Sequence, residues 1–139
     1  MSEMDFNAFN QPVIEEFRAN GGKVGGMFEG APLILLHTTG RKSGKDRISP
    51  LMCRQEGDRL FIFASKGGAP DNPDWFHNIV ANPDVTYEQG TETKTARAVV
   101  LEPAERDRVY ADNARAVPQF AEYQENTDRT IPVVELVSR

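Results

Sequence analysis

Apolar positions along the chain fall into short runs with two periods. Between Asp5 and Ala19 they are Phe6, Phe9, Val13, Ile14 and Phe17. These intervals of one, three and four residues predict one helical stripe, with Pro12 interrupting or restarting the helix. Gly21, Gly22, Gly25 and Gly26 then predict a pliant joint. Such a helix is expected to close one end of a barrel. The alternative is an amphipathic lid or membrane-surface helix, although Glu15 and Glu16 against Arg18 disfavour anionic lipid.

After the joint the pattern changes to strands. Leu33 to Leu36 is continuously apolar and predicts a buried strand running on through His37 and Thr38. Arg41 to Lys45 predicts a turn, with Gly44 free to take positive φ. Ile48 to Arg54 resumes as a strand, Glu56-Gly57-Asp58 makes a hairpin turn, and Leu60 to Phe63 forms a third strand. Asn72-Pro73 predicts a helix start, with Asn72 as the cap and Pro73 at the first position, running to Val80. Val85 to Gln89 and Thr93 to Leu101 predict two more strands, with Val99, Val100 and Leu101 in the core. Pro103 opens an acidic helix carrying Val109, Tyr110, Ala114 and Val117 at helical spacing, and Pro118 breaks it. A last strand is expected over Ile131 to Val137, interrupted by Glu135. Consecutive hairpins favour an antiparallel arrangement over alternating βαβ units. The expected class is α+β: a small antiparallel β-barrel of five or six strands with flanking short helices. It forms a single domain over residues 1–139, with the helix and joint in 1–26 and the barrel in 27–139.

Composition adds limits to this picture. No apolar run approaches the ~20 residues that span a bilayer, and the first thirty residues lack a basic start followed by an apolar core. The single cysteine, Cys53, excludes an intrachain disulfide and suits a reducing compartment. A cytoplasmic location is therefore expected. The net charge of −5 disfavours a general nucleic-acid binder, but it hides an asymmetry. Thr38 to Gly68 carries seven cations against three acids, whereas Glu102 to Arg129 carries seven acids against four arginines. A local positive field on an acidic body suits a small anionic ligand better than a long polyanion.

The chemistry of that basic stretch can be narrowed. Gly40 to Asp46 has three residues between its glycines, and Asp46 stands where a phosphate-binding loop places Ser or Thr. The stretch also lies between strands, with no helix N-terminus to face phosphate. No dinucleotide fingerprint is present: the glycine pairs at 21–22 and 25–26 have the wrong spacing. His37 and His77 are the only histidines and there is no C-x-x-C, so no metal site is expected. No G-x-S-x-G elbow is present, and Cys53, beside Leu51 and Met52, reads as a core thiol. Anion binding remains. Arg41, Lys42, Lys45 and Arg47, with Ser65 and Lys66 downstream, could together hold an extended, multiply anionic tail.

Six segments in order resemble a known family: T-T-G-R-K-S-G (Thr38–Gly44), R-I-S-P (Arg47–Pro50), A-S-K-G-G (Ala64–Gly68), N-P-D-W-F-H-N (Asn72–Asn78), A-N-P (Ala81–Pro83) and T-D-R-T-I-P (Thr127–Pro132). Together they are similar to the deazaflavin-dependent nitroreductase family, over about Gly26 to Pro132. The resemblance implies a split β-barrel of the FMN-binding, pyridoxamine-phosphate-oxidase-like type and coenzyme F420, a deazaflavin with a phosphodiester and an oligoglutamate tail. It assigns the tail to Arg41, Lys42, Ser43, Gly44, Lys45 and Arg47. Main-chain groups of Pro50 and Leu51 are implied at the ring edge. Phe63, Ala64, Ser65 and Lys66 would lie along tail or ring, and Asp74, Trp75, Phe76, His77 and Asn78 would border the cofactor.

The implied activity is hydride transfer from reduced F420 to a small or lipophilic acceptor, with Ser65 or Tyr123 as candidate proton donor. Family members that reduce nitroimidazoles line the substrate side with several tyrosines. Here those places hold Met52, Val117 and Phe120, with Tyr123 the one tyrosine kept. A flat quinone such as menaquinone is therefore the expected acceptor, with weak or absent nitroimidazole reduction. The alternatives are an FMN-dependent oxidoreductase on the same barrel, or an F420 carrier without turnover. Quinone chemistry would fit a cytoplasmic enzyme touching the inner face of the cell membrane. Pairing into a homodimer is left open.

Overall fold

The computed structural model describes residues 3–25 and 32–139, with the backbone alone for residues 3–10 and 67. Six strands form a closed antiparallel barrel: β1 (Leu33–Thr39), β2 (Asp46–Glu56), β3 (Arg59–Phe63), β4 (Asp84–Gln89), β5 (Glu92–Val100) and β6 (Val133–Ser138). Their order around the barrel is β1-β2-β3-β6-β5-β4. Among the described residues four α-helices decorate it: α1 (Glu3–Ala19), α2 (Asp74–Ala81), α3 (Pro103–Ala116) and α4 (Gln119–Glu125).

Both faces of β1 are covered, which explains its unbroken apolar run. Ile34 and Leu36 point into the barrel beside Cys53, Leu60, Ile62 and Leu136, and Trp75 and Ile79 of α2 join this core. Leu33 and Leu35 point outward, where Ile14 and Phe17 of α1 and Val24 bury them. The N-terminal helix thus packs on the outer wall of β1 and β2 instead of closing a barrel end. It also runs unbroken through Pro12. A proline removes one helical hydrogen bond, and burial of Ile14 and Phe17 downstream keeps the chain helical. The side chains of Phe6 and Phe9, and Gly26 in the joint, lie outside the described residues.

A second outer cluster joins α3 and α4 to the barrel. Phe61, Phe63 and Val133 pack against Val109, Tyr110, Phe120 and Ile131. Ile131 is fully buried but precedes β6, so the last strand starts two residues later than its apolar run suggests. Pro103 stands in the first turn of α3, as expected. After Pro118 the chain forms α4, a further helix that the apolar pattern did not separate from α3.

Two expectations fail for definite reasons. Val99 and Val100 are 40% and 43% exposed: no described helix covers the outer face of β5, to which Val99 belongs, and Val100, on the same face as inward Ala96 and Ala98, is the last residue of the strand. Asn72 does not cap α2: the helix begins at Asp74 with Pro73 in the cap position. The Asn72 Oδ1 instead accepts a 2.6 Å hydrogen bond from Arg129 Nη1. Cys53 is a core thiol, 6% exposed, and burial pushes its pKa up to about 11.

Candidate functional site

Unequal strand lengths create the site. β2 has eleven residues and β3 five. Only Cys53 to Glu56 of β2 pair with β3, while Asp46 to Met52 pair with β1 alone. The first half of β2 therefore offers one row of main-chain groups with no second strand beside it among the described residues. Arg47, Ser49 and Leu51 lie opposite Thr38, Leu36 and Ile34, and so share the inward face at the barrel mouth. Pro50 and Met52 take the outer face. Where β3 ends at Phe63, the chain leaves the sheet and runs through Ala64 to Asn72 before α2.

The basic turn joins β1 and β2 beside this open row. Its backbone is closed by hydrogen bonds from Gly40 N to Lys45 O and from Gly44 N to Gly40 O, both 2.8 Å. Gly44 takes φ +70°, the left-handed conformation expected of it. Ser43 Oγ accepts from Lys45 N at 3.2 Å, so that serine builds the turn while its own hydrogen stays available. Asn78, only 4% exposed, fixes the turn to α2. Its Oδ1 accepts from Arg41 N at 3.1 Å and from Arg41 Nη1 at 3.4 Å, and its Nδ2 donates to Thr38 Oγ1 at 3.3 Å. Asn78 therefore spends its amide on holding the turn in place.

Charge pairing marks the turn as unusual. Arg18, Arg54, Arg59, Arg97, Arg106, Arg108, Arg115 and Arg139 each lie within ion-pair distance of a carboxylate. Among the described residues, the exposed side chains of Arg41, Lys42 and Lys45 form no ion pair. In a chain of net charge −5, these three exposed cations within five residues form a local positive field. A polar groove of about 500 Å³ lies near the same barrel end, walled by His37, Thr39, Thr86 and Thr95. Asp46 and Asp84 on its walls make it a poor place for an anionic tail.

An aromatic cluster packs outside β3, with Met52 of β2 at its edge. Phe63 meets Phe120 at 5.3 Å and Tyr110 at 6.0 Å between ring centroids, and Phe120 meets Tyr123 at 5.3 Å. Met52, Val117 and Tyr123 are half-buried against this cluster, so all four residues expected on the acceptor side come together. Phe120 is 3% exposed and supports the wall from behind. Tyr110 donates a 2.5 Å bond to Phe120 O, and burial pushes its pKa up to about 12. Tyr123 Oη accepts from Gln119 Nε2 at 3.1 Å. Ser65 is half-buried, and its hydroxyl has no hydrogen-bond partner among the described residues. Trp75 is 6% exposed inside the barrel and meets Phe76 edge-on at 6.3 Å, while Phe76 and His77 are half-buried and Asp74 is exposed. Phe63 and Ala64 are buried, which leaves Ser65 and Lys66 as the accessible side chains of their segment. Among the described residues no group of His, Cys, Asp or Glu is arranged to hold a metal ion. No described helix is long and apolar enough to cross a membrane.

Three site-building residues escaped the sequence reading. Arg129 ties down the segment after β3, and Gln124 holds Arg129. Asn113, on the buried stripe of α3 with Val109 and Tyr110, is 4% exposed and its Nδ2 has no partner among the described residues. Leaving such a group unpaired costs about 1–3 kcal/mol. Asn113→Leu, close in shape, should therefore raise the unfolding free energy by about that amount. A lower midpoint in urea would show that the amide has a partner.

Known proteins share the sequence and the fold. The family model described as F420H(2)-dependent quinone reductase matches residues 11–138. An F420H(2)-dependent quinone reductase of Mycobacterium tuberculosis is 39% identical over 129 residues, 88% of this chain and 85% of the relative. A solved F420-H2 dependent reductase, FDR-A, is 42% identical with TM-score 0.69, covering 76% of this chain and 93% of that one. A structure described as a domain-swapped dimer is 37% identical with TM-score 0.70, covering 97% and 99%. A pyridoxamine 5'-phosphate oxidase-like protein of Listeria innocua, 9% identical with TM-score 0.55, shares the fold alone and marks it as the split barrel. With the barrel and the order of its motifs in agreement, the chain belongs to the F420H(2)-dependent quinone reductase family.

Proposed function

We propose that this protein reduces a quinone with reduced coenzyme F420, and that it reduces nitroimidazoles weakly or not at all. The observation that carries the reading is the turn beside the open half of β2, whose Arg41, Lys42 and Lys45 form no ion pair among the described residues. The donor set fits the cofactor: Arg41, Lys42 and Lys45 suit a phosphodiester and a run of glutamates, which FMN with its single phosphate would leave largely unused. Once bound, reduced F420 supplies the hydride from ring carbon 5.

The chain's own residues supply the rest. Asn78 orients the turn, and the open row of β2 offers main-chain groups to a ring edge. Phe63, Met52, Val117 and Tyr123 present an apolar, flat-sided wall that excludes water and suits a quinone. Quinone reduction requires one proton for each hydride, and the half-buried Ser65 Oγ is the first candidate to hold it. Tyr123 is the second candidate, with a more acidic hydroxyl.

Anaerobic titration with reduced F420, followed by a panel of menaquinone analogues and nitroimidazoles, tests the reading. Oxidation of F420 is expected with the quinones and little with the nitroimidazoles. Tight binding without turnover would identify a carrier, and efficient nitroimidazole turnover would refute the acceptor assignment. A spectral change with FMN alone would favour the other flavin. Ser65→Ala should lower turnover about 100-fold or more with little change in cofactor affinity. Unchanged turnover would remove Ser65 from the chemistry.

A further inference from the structure

The segment from Ala64 to Asn72 has the most constrained backbone near the site. Lys66 takes φ +47°, and it is the one non-glycine residue with positive φ among those described. Gly68 follows at φ +85°. Such conformations cost about 1–3 kcal/mol at a non-glycine residue and persist only where the surroundings impose them. Here the surroundings converge on one side chain. Arg129 Nη1 donates to Ala64 O at 3.1 Å and to Asn72 Oδ1 at 2.6 Å. Its Nη2 donates to Ser65 O at 3.0 Å, and its Nε to Ala69 O at 3.0 Å. One guanidinium thus gathers four acceptors spread over the whole segment.

These acceptors are all neutral, which sets Arg129 apart from the paired arginines. Among the described residues it forms no ion pair, and burial holds its pKa below the usual arginine range. The arginine is itself held from the other side. Gln124 of α4 donates from Nε2 to Arg129 O at 2.8 Å, while its Oε1 accepts from Ile131 N at 3.1 Å and from Arg106 Nη2 at 2.6 Å. The backbone of Arg129 is therefore anchored to the helices behind the aromatic wall, and its side chain is anchored to the segment that carries Ser65.

We propose that Arg129 is a positioning residue: its four-point grip sets Ser65 and Lys66 against α4, holding the two halves of the site in register. The inference rests on the function proposed above only where it concerns turnover. Lysine cannot replace the grip, because one ammonium cannot reach four acceptors arranged around a planar fork.

The test uses Arg129→Lys and Arg129→Ala in the full chain, read by amide hydrogen exchange and by kinetics. In both variants the amides of Gly68 and Ala69 should exchange at least about tenfold faster, while those of α2 stay unchanged. Turnover should fall about 100-fold, since a misplacement of ~1 Å costs that much. Added guanidinium ion should restore at least about tenfold of it to Arg129→Ala by filling the vacated fork. Unchanged exchange in the segment would overturn the proposal. So would uniformly faster exchange across the barrel without guanidinium rescue, which would mean general destabilisation. If Arg129→Ala fails to fold, Arg129→Lys and Asn72→Ala carry the same exchange measurement, with a smaller effect expected from Asn72→Ala. If the unsubstituted protein turns over no acceptor, the functional reading fails and the exchange result still decides the role of Arg129.

Discussion

Replacing Arg41, Lys42 and Lys45 together by glutamine should weaken F420 binding by roughly 150-fold, on the basis of about 1 kcal/mol for each exposed charge-assisted contact. Because these cations face solvent, the loss should shrink as salt is raised and the Debye length falls below ~10 Å. The melting temperature should barely move, since the three side chains form no ion pair among the described residues. Fluorescence titrations at low and high ionic strength measure both effects. Arg97 and Arg115, exposed but paired with Asp84 and Asp112, provide the control. An equal loss from substituting that pair would show a diffuse charge effect and remove the turn as the anchor.

Gly68→Ala should produce the largest stability loss of any single methyl addition near the site. A Cβ there would lie 2.8 Å from Tyr123 O and 3.1 Å from Tyr123 Cα, and neither backbone atom can swing aside. The residue also sits at φ +85°, where a side chain is strained whatever the space. Strain and overpacking together cost about 2–5 kcal/mol, which for a domain of this size lowers the melting temperature by roughly 8–20 °C. Gly57→Ala is the matched comparison, because it has positive φ but nothing within 4 Å of the added carbon. If the two variants melt alike, the packing of α4 on the Lys66–Gly68 turn contributes nothing.

How far the sequence reveals this molecule depends on the range over which each feature is decided. The β1–β2–β3 meander was readable because its apolar runs and turn glycines lie within a few residues of one another; Gly44 takes the expected positive φ, and Gly57 in the second turn takes one as well. The basic turn was readable for the same reason. Asn72 was misassigned because a local rule made it a cap, whereas its partner Arg129 lies 57 residues away in sequence. Val99 looks like a core residue until the topology leaves the outer face of β5 without a described helix, and Val100 until the strand ends on it. The unpaired half of β2 has no sequence signal, because it follows from the five-residue length of β3 across the sheet. Arg129 stood within a recognised motif, but nothing in that motif says that its side chain reaches back to Ala64.

The position of β6 in the barrel governs how the molecule is made. Phe61 pairs with Glu135 and Val100 with Val134, so the strand furthest along the chain is inserted between β3 and β5. A ribosome must therefore deliver the chain through Ser138 before the sheet can close. Until then β3 and β5 each display a row of unsatisfied amides able to recruit another chain. Folding is expected to be limited by this long-range docking, and nascent or truncated chains to be the aggregation-prone species.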